Sequence, residues 1–389
     1  MTTRDRSNRF QRQPPHSFAS MGLESTGQLN TQAAVRRFRM DDVTFTFIAD
    51  GAMALAPHAF IKTAPPTYWA QHPEHLDGQG WIVMSAGGLL VERDGHRVLI
   101  DAGFGPAAAT NASSRVNCGS FLHVLTQLGL APSDIDTFAL THLHVDHTGW
   151  AFVESASGRR EPTFPNATYL LATLEWQPIA GGERPPGIAG ERELIQPLQS
   201  HTALRLIGDG DEVAPGVTAV VTPGHSAGHT SYVVETSKGN RFIAFGDCFH
   251  TPAQMLHTEW FCDPDINPAA VPKARRRLID ELRTENTVGF AVHFGDQQFG
   301  TLIGDTPTHL HGNPCQLPCC FRHPGLHNSH AAVVRSPISA PDRSHSPRPI
   351  RTWTTPRARP TVPPCGIDAN DIANAETARR AKQPRHIHS

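Results

Sequence analysis

Nine residues, Thr141-His142-Leu143-His144-Val145-Asp146-His147-Thr148-Gly149, constrain this chain more than any others. Three imidazoles and one carboxylate fall within six consecutive positions. Neutral imidazole is the commonest protein ligand for zinc, and a carboxylate adds a hard anionic partner. Packing does not concentrate ligands in this way, so the segment points to a site for more than one metal ion. Any fold that uses it must hold a loop rigid here and bring further ligands to it.

The surrounding pattern provides such a frame. Residues 135–140 read as a short buried strand ending at Thr141, so the cluster lies in a loop whose position a sheet can fix. Residues 43–48 alternate apolar and polar like a strand. Residues 88–91 and 98–100 form a hairpin across Arg93-Asp94-Gly95-His96, where Asp-Gly is the turn signal. Further strands are predicted at 167–171, 217–222, 231–235, 241–245 and 290–292, with helices at 120–128 and 268–283. The second helix places Val271, Ala274, Leu278 and Leu282 on one face. Strands interspersed with helices predict a layered α/β arrangement.

More ligand types follow at strand ends. Pro223-Gly224-His225-Ser226-Ala227-Gly228-His229 puts His225 in a Gly-bracketed turn. Phe245-Gly246-Asp247 presents a carboxylate in the same way, and His293 follows the strand at 290–292. Repeated placement of a ligand just past a strand is what a shared site along one sheet edge requires.

Composition narrows the class. The chain carries a formal charge of -2 and a pI near 6.9, which gives no general affinity for nucleic acid or anionic membrane. The average hides a split: residues 310–389 hold 11 basic and 4 acidic residues, and the remainder carries -9. No apolar run reaches 18 residues and residues 1–20 lack an apolar h-region, so a cytoplasmic location is expected. Seven cysteines with no CxxC pair do not describe a disulfide framework. Residues 1–38 read as a disordered extension, residues 39–309 as the folded domain, and residues 310–389 as a Pro/Arg/His-rich disordered tail. An out-of-frame C-terminus would produce the same abrupt change in composition.

With these residues in order, the chain resembles the metallo-β-lactamase superfamily of binuclear metallohydrolases. The match is carried by His142, His144, Asp146 and His147 in HxHxDH, then His225, Asp247 and His293, with Leu99-Ile100-Asp101-Ala102-Gly103 similar to the family's strand ending in Asp-x-Gly. The resemblance spans roughly residues 43–303 and implies a four-layer αββα sandwich. It implies two Zn2+ per chain: His142, His144 and His225 for the first, Asp146, His147 and His293 for the second, and Asp247 bridging both. Asp101 would orient an imidazole through its other nitrogen. His229 and Thr141 are read as supporting or structural. Two such ions lower the pKa of a bridging water, so that hydroxide is available to attack a carbonyl or phosphoryl centre. Asp146 would relay a proton.

Departures within the superfamily refine the expectation. Asp247 stands where the β-lactamases commonly have Cys, and Asp146 where diiron flavoproteins prefer Glu. The acyl-homoserine lactonases share all the ligands but usually carry Tyr three residues after the bridging Asp, where this chain has His250. Together with Asp263-Pro264-Asp265 and Lys273-Ala274-Arg275-Arg276-Arg277, this resembles the branch containing methyl parathion hydrolase and related lactonases. His250 is therefore expected to face substrate. Phe60, Trp69, Trp81, Trp150 and Trp260 are expected to supply a wall over the site. The expected activity is cleavage of a small-molecule lactone, ester or organophosphate-like bond, with no nucleic-acid or membrane partner and a homodimer left open. Two alternatives on the same fold are a mononuclear iron persulfide dioxygenase and a glyoxalase II-like thioesterase. A nuclease fits poorly with the acidic body, and a silent binding module fits poorly with a complete ligand set.

Overall fold

The computed structural model describes residues 35–295 and 297–302. Most of the expected N-terminal extension and all but the first few residues past 300 lie outside them, including the tail. Eleven strands precede residue 210: β1 (Arg36–Met40), β2 (Val43–Leu55), β3 (Ile82–Arg93), β4 (His96–Ile100), β5 (Ala107–Thr110), β6 (Ser114–Cys118), β7 (Thr137–Ala139), β8 (Phe152–Glu154), β9 (Arg160–Pro162), β10 (Thr168–Ala172) and β11 (Leu204–Ile207). All but β8 and β9, which pair as a hairpin of their own, form one sheet in the order β11-β10-β7-β4-β3-β2-β6-β5, with β1 also on β2. A second sheet follows the chain from β12 (Glu212–Ala214) through β13 (Val217–Val221), β14 (Thr230–Glu235), β15 (Arg241–Ala244) and β16 (Thr287–Phe290) to β17 (Phe299–Gly300). β1 begins at Arg36, inside the segment expected to be extension, because its five residues pair in register with β2.

Alternating burial makes the layers. Side chains on successive strand residues point to opposite faces. In β2, Phe45 and Phe47 enter the core between the sheets while Ile48 faces outward to a second core. In β14, Tyr232 and Val234 face the first sheet while Val233 faces a helix. Across the central core the Phe45 and Phe242 rings stack at 3.7 Å between centroids. Each such ring removed from water contributes about 1.5–3 kcal/mol.

Helices cover both outer faces. Phe121, Val124 and Leu125 of α3 pack on the first sheet, after the short α1 (Pro57–Phe60) and α2 (Pro66–Gln71); α3 itself is Phe121–Gln127. The same outer core takes Ile179 of α5 (Thr173–Ala180) and Leu198 of α6 (Gln196–Ser200); α4 (Val145–Thr148) lies between α3 and α5 in the chain. The second sheet is covered by α8 (Val271–Leu282), which follows the short α7 (Ala253–Leu256). Val271, Ala274, Leu278 and Leu282 of α8 form the expected stripe, Ile279 joins them, and Arg275 lies fully buried within it. Helix, sheet, sheet, helix is the expected four-layer αββα sandwich. Among the described residues no helix is long and apolar enough to cross a membrane.

Topology gathers the ligand-bearing loops. β4 and β7 run parallel, as do β15 and β16, and β13 shares the direction of β15 because β14 is antiparallel to both. Asp101, the 141–149 segment, His225, Asp247 and His293 all follow the C-terminal ends of these strands. The strand expected at 290–292 ends instead at Phe290, and residues 291–292 belong to the loop carrying His293.

Candidate metal centre

All seven sequence-predicted ligands meet at this edge. His142, His144, His225 and Asp247 form one group able to hold an ion, and Asp146, His147, His293 and Asp247 form another. Asp247 joins them with a different oxygen for each. Its Oδ1 lies 3.1 Å from His147 Nε2 and 3.0 Å from His293 Nε2. Its Oδ2 lies 3.2 Å from His225 Nε2 and 3.8 Å from His142 Nε2. Asp146 Oδ2 completes the second group, 3.5 Å from His293 Nε2 and 3.8 Å from His147 Nε2. His144 presents Nδ1, 2.9 Å from His225 Nε2.

The donor set fits a metal. The Nε2 atoms of His142, His147 and His293 and Oδ1 of Asp247 are buried without a hydrogen-bond partner. Such a group costs on the order of 1–3 kcal/mol when left unmet. Here several converge on one place, and cations between them would satisfy all of them.

In four of these histidines the other ring nitrogen is held by protein. His147 Nδ1 lies 2.8 Å from Asp101 Oδ2, His225 Nδ1 lies 2.8 Å from Asp265 Oδ1, and His293 Nδ1 donates to the Ser85 carbonyl at 2.8 Å. His142 Nδ1 lies 2.9 Å from Thr141 Oγ1, whose hydroxyl donates to Asp101 Oδ2 at 2.8 Å. Each partner keeps the proton on Nδ1 and leaves the Nε2 lone pair facing the site. Asp101 adopts φ +60°, a left-handed conformation that short polar side chains tolerate, and this turns its carboxylate onto both Thr141 and His147.

Electrostatics match the geometry. Burial works to raise the Asp247 carboxyl, but His147, His293 and His250 hold it well below the usual carboxylate range. Burial also works to lower the His225 imidazole, yet Asp247 and Asp265 outweigh it and raise it to about 9. Burial, with His225 adding, lowers His144 to about 3. Protons shared out in this uneven way are what metal ions displace on binding.

The family model for the metallo-beta-lactamase superfamily matches residues 88–285. This chain belongs to the metallo-beta-lactamase superfamily. It is a metal-dependent hydrolase of that fold. An N-acyl homoserine lactonase of Bacillus thuringiensis is 25% identical over 226 residues, 54% of this chain and 81% of that protein. AidC, a dizinc quorum-quenching lactonase, aligns with a TM-score of 0.60 at 18% identity, covering 71% of this chain and 96% of AidC. The hydrolase AbOPH aligns at 0.59 and 23% identity, covering 69% and 93%. Both structures share the superfamily sandwich.

Other expected residues fall into supporting places. His229 accepts the Asp247 backbone N–H at Nε2, 2.9 Å away, and its Nδ1 lies 2.8 Å from Thr222 Oγ1, so it positions Asp247. His250 is only 2% exposed. Its Nε2 lies 3.1 Å from Asp247 Oδ2 and its Nδ1 3.5 Å from Cys262 Sγ. Both its nitrogens thus lie against protein groups, one of them the carboxylate that joins the two ligand groups. Of the aromatics, Trp69 and Trp260 share an apolar cluster with Phe60, which sets its edge on His250 at 5.3 Å. Trp81 lies instead under Arg115, and Trp150 packs with the outer core while its Nε1 donates to Asp50 at 2.8 Å.

Two buried carboxylates with orienting roles, Glu175 and Asp50, had no local signal, and a third, Asp265, lies in the Asp263-Pro264-Asp265 stretch that the sequence showed without a role for it. Glu175, at the start of α5, accepts from the Leu143 N–H at 3.1 Å, from Ser226 Oγ at 2.7 Å and from the Gly228 N–H at 2.8 Å. It thereby clips the His142–His144 loop to the His225 loop. Gly228 is required there, since a Cβ would sit 2.1 Å from the Glu175 nitrogen. Asp50 accepts from Phe104, Gly105, Gly119 and Phe121 N–H groups and from Trp150, and so binds the loops flanking Asp101 and the HxHxDH segment. Asp265 orients His225 and caps the Cys262 N–H at 2.8 Å. The buried Arg275 fixes that loop through the carbonyls of Cys248, Thr258 and Trp260.

Proposed function

We propose that this chain is a binuclear zinc hydrolase that opens a small-molecule lactone, with esters and organophosphate-like triesters as the neighbouring substrate classes. The carrying observation is Asp247, whose two oxygens face two separate imidazole groups. In this reading His142, His144 and His225 hold the first zinc, Asp146, His147 and His293 hold the second, and Asp247 bridges. Imidazole and carboxylate donors with no thiolate in either group suit zinc. When bound, the ions would activate water and polarise the scissile carbonyl.

The protein's own residues supply orientation and proton handling. Asp101, Asp265 and Ser85 fix the tautomers of His147, His225 and His293. His250 and His229 hold Asp247 from two sides. Asp146 has 17% of its side chain exposed, against 3% for Asp247. It is the site carboxylate that meets solvent, and we assign it proton transfer to the departing alcohol. The apolar cluster around Phe60, Trp69 and Trp260 lies beside His250.

Lactonase relatives support lactone cleavage ahead of the persulfide dioxygenase and glyoxalase II-like alternatives. A panel of a homoserine lactone, an aryl ester, an aryl phosphotriester and a glutathione thioester, run on zinc-replete protein, tests the reading. The lactone should be turned over fastest. Preference for the glutathione thioester would overturn it.

A further inference from the structure

Cys262 is unused by the proposed chemistry, yet its thiol is not simply packed away. Its Sγ lies 3.5 Å from His250 Nδ1 and 3.8 Å from His250 Nε2. His225, His250 and Cys262 form a third buried group in which one donor atom from each lies within 4.8 Å of the others. Asp247 Oδ2 adjoins it, 3.1 Å from His250 Nε2 and 3.2 Å from His225 Nε2.

We propose that Cys262, His250, His225 and Asp247 form an alternative cation position selective for thiophilic ions, mutually exclusive with the first zinc position. A tetrahedral zinc with bonds of about 2.05 Å to nitrogen or oxygen and about 2.3 Å to sulfur has donor separations of about 3.4 Å and about 3.6 Å. The observed 3.1, 3.2 and 3.8 Å lie near those edges. The thiol is held rigidly. The Cys262 N–H is bonded to Asp265, whose other oxygen holds His225, and Arg275 grips the Trp260 carbonyl. Metal selection at such a site follows ligand softness. One thiolate among imidazoles favours a soft d10 ion, whereas the His142/His144 side offers none. On binding, the thiol proton leaves to solvent as the sulfur–metal bond forms. His225 and Asp247 serve both positions, so a soft ion here takes two ligands from the first zinc instead of adding a third ion. This rests on the proposed metal reading for His225 and Asp247.

The test is cadmium titration of metal-free full-length protein, followed by the near-ultraviolet thiolate-to-cadmium absorption and by bound cadmium per chain. Wild type should develop the band. Cys262→Ser should lose one chain equivalent of it while still binding cadmium, and Cys118→Ser should keep it. His250→Asn should lose the same single equivalent, which guards against a folding defect peculiar to one variant. Cadmium binding in wild type with a band that Cys262→Ser leaves undiminished would overturn the soft site and spare the binuclear reading. Absence of any cadmium binding would overturn both.

Discussion

Replacing Asp101 by Asn tests how the protein sets its imidazoles. The carboxylate accepts three times: from the Thr141 N–H on Oδ1, and from Thr141 Oγ1 and His147 Nδ1 on Oδ2, each at 2.8 Å. Asparagine has one acceptor oxygen. If the amide oxygen stays opposite the Thr141 N–H, the amide nitrogen confronts two donors. His147 must then move its proton to Nε2, the atom needed for metal. The Thr141 hydroxyl must also turn toward His142 Nδ1, 2.9 Å away, and His142 loses its metal-facing lone pair in the same way. If the amide flips, its nitrogen meets the Thr141 N–H, donor against donor. Either arrangement loses a hydrogen bond to a charged group, worth about 1.5–3 kcal/mol. Loss of a carboxylate behind a ligating histidine typically lowers metal affinity 10–100-fold, or about 1.4–2.7 kcal/mol, and the two figures agree. Competition with a chromophoric chelator measures this directly. Asp101→Asn should bind its ions on the order of 10–100-fold more weakly. Wild-type affinity at both positions would refute the tautomer argument.

Three further outcomes follow from the same contacts. Glu175→Gln keeps one acceptor but sets an amide nitrogen against a buried N–H or loses the contact to Leu143, which should lower stability by about 1–3 kcal/mol in urea unfolding and speed chelator stripping of the first ion. Asp50→Asn leaves at least two of five donors unmet, so its unfolding free energy should fall by roughly 2–6 kcal/mol, read from the denaturant midpoint at unchanged slope. Removing metal with a chelator should lower the melting temperature by roughly 5–10 °C relative to protein at free zinc a hundredfold above Kd, since that ligand excess is worth about 2.7 kcal/mol. An unchanged melting curve would mean that the buried imidazoles need no cation.

The seven residues that meet at the sheet edge were legible because they are local and repetitive. HxHxDH is contiguous, and His225, Asp247 and His293 each follow a strand whose apolar residues announce it. The sandwich was legible for the same reason, since β2, β14 and β15 alternate faces and α8 keeps a stripe. What was not legible is set by tertiary approach. Glu175 lies 32 residues beyond Leu143 and 51 before Ser226, and Asp50 lies 100 residues before Trp150, so no spacing joins them to the cluster. Arg275 sits in the basic run 273–277, yet α8 turns it into the core because position 275 falls on the stripe with 271, 274, 278 and 282. The spacing of His250 after Asp247 carries no hint of its further contacts, since Gln254 accepts its backbone N–H and Cys262 Sγ lies beside its ring.

The most direct measurement is metal content beside lactone hydrolysis, for wild type and Asp247→Ala. Wild type loaded with zinc should hold two ions per chain, one for each group meeting at Asp247, and the variant should lose at least one ion together with the activity. One iron per chain in an active wild type, or full zinc content and full activity in Asp247→Ala, would contradict a centre bridged by this carboxylate.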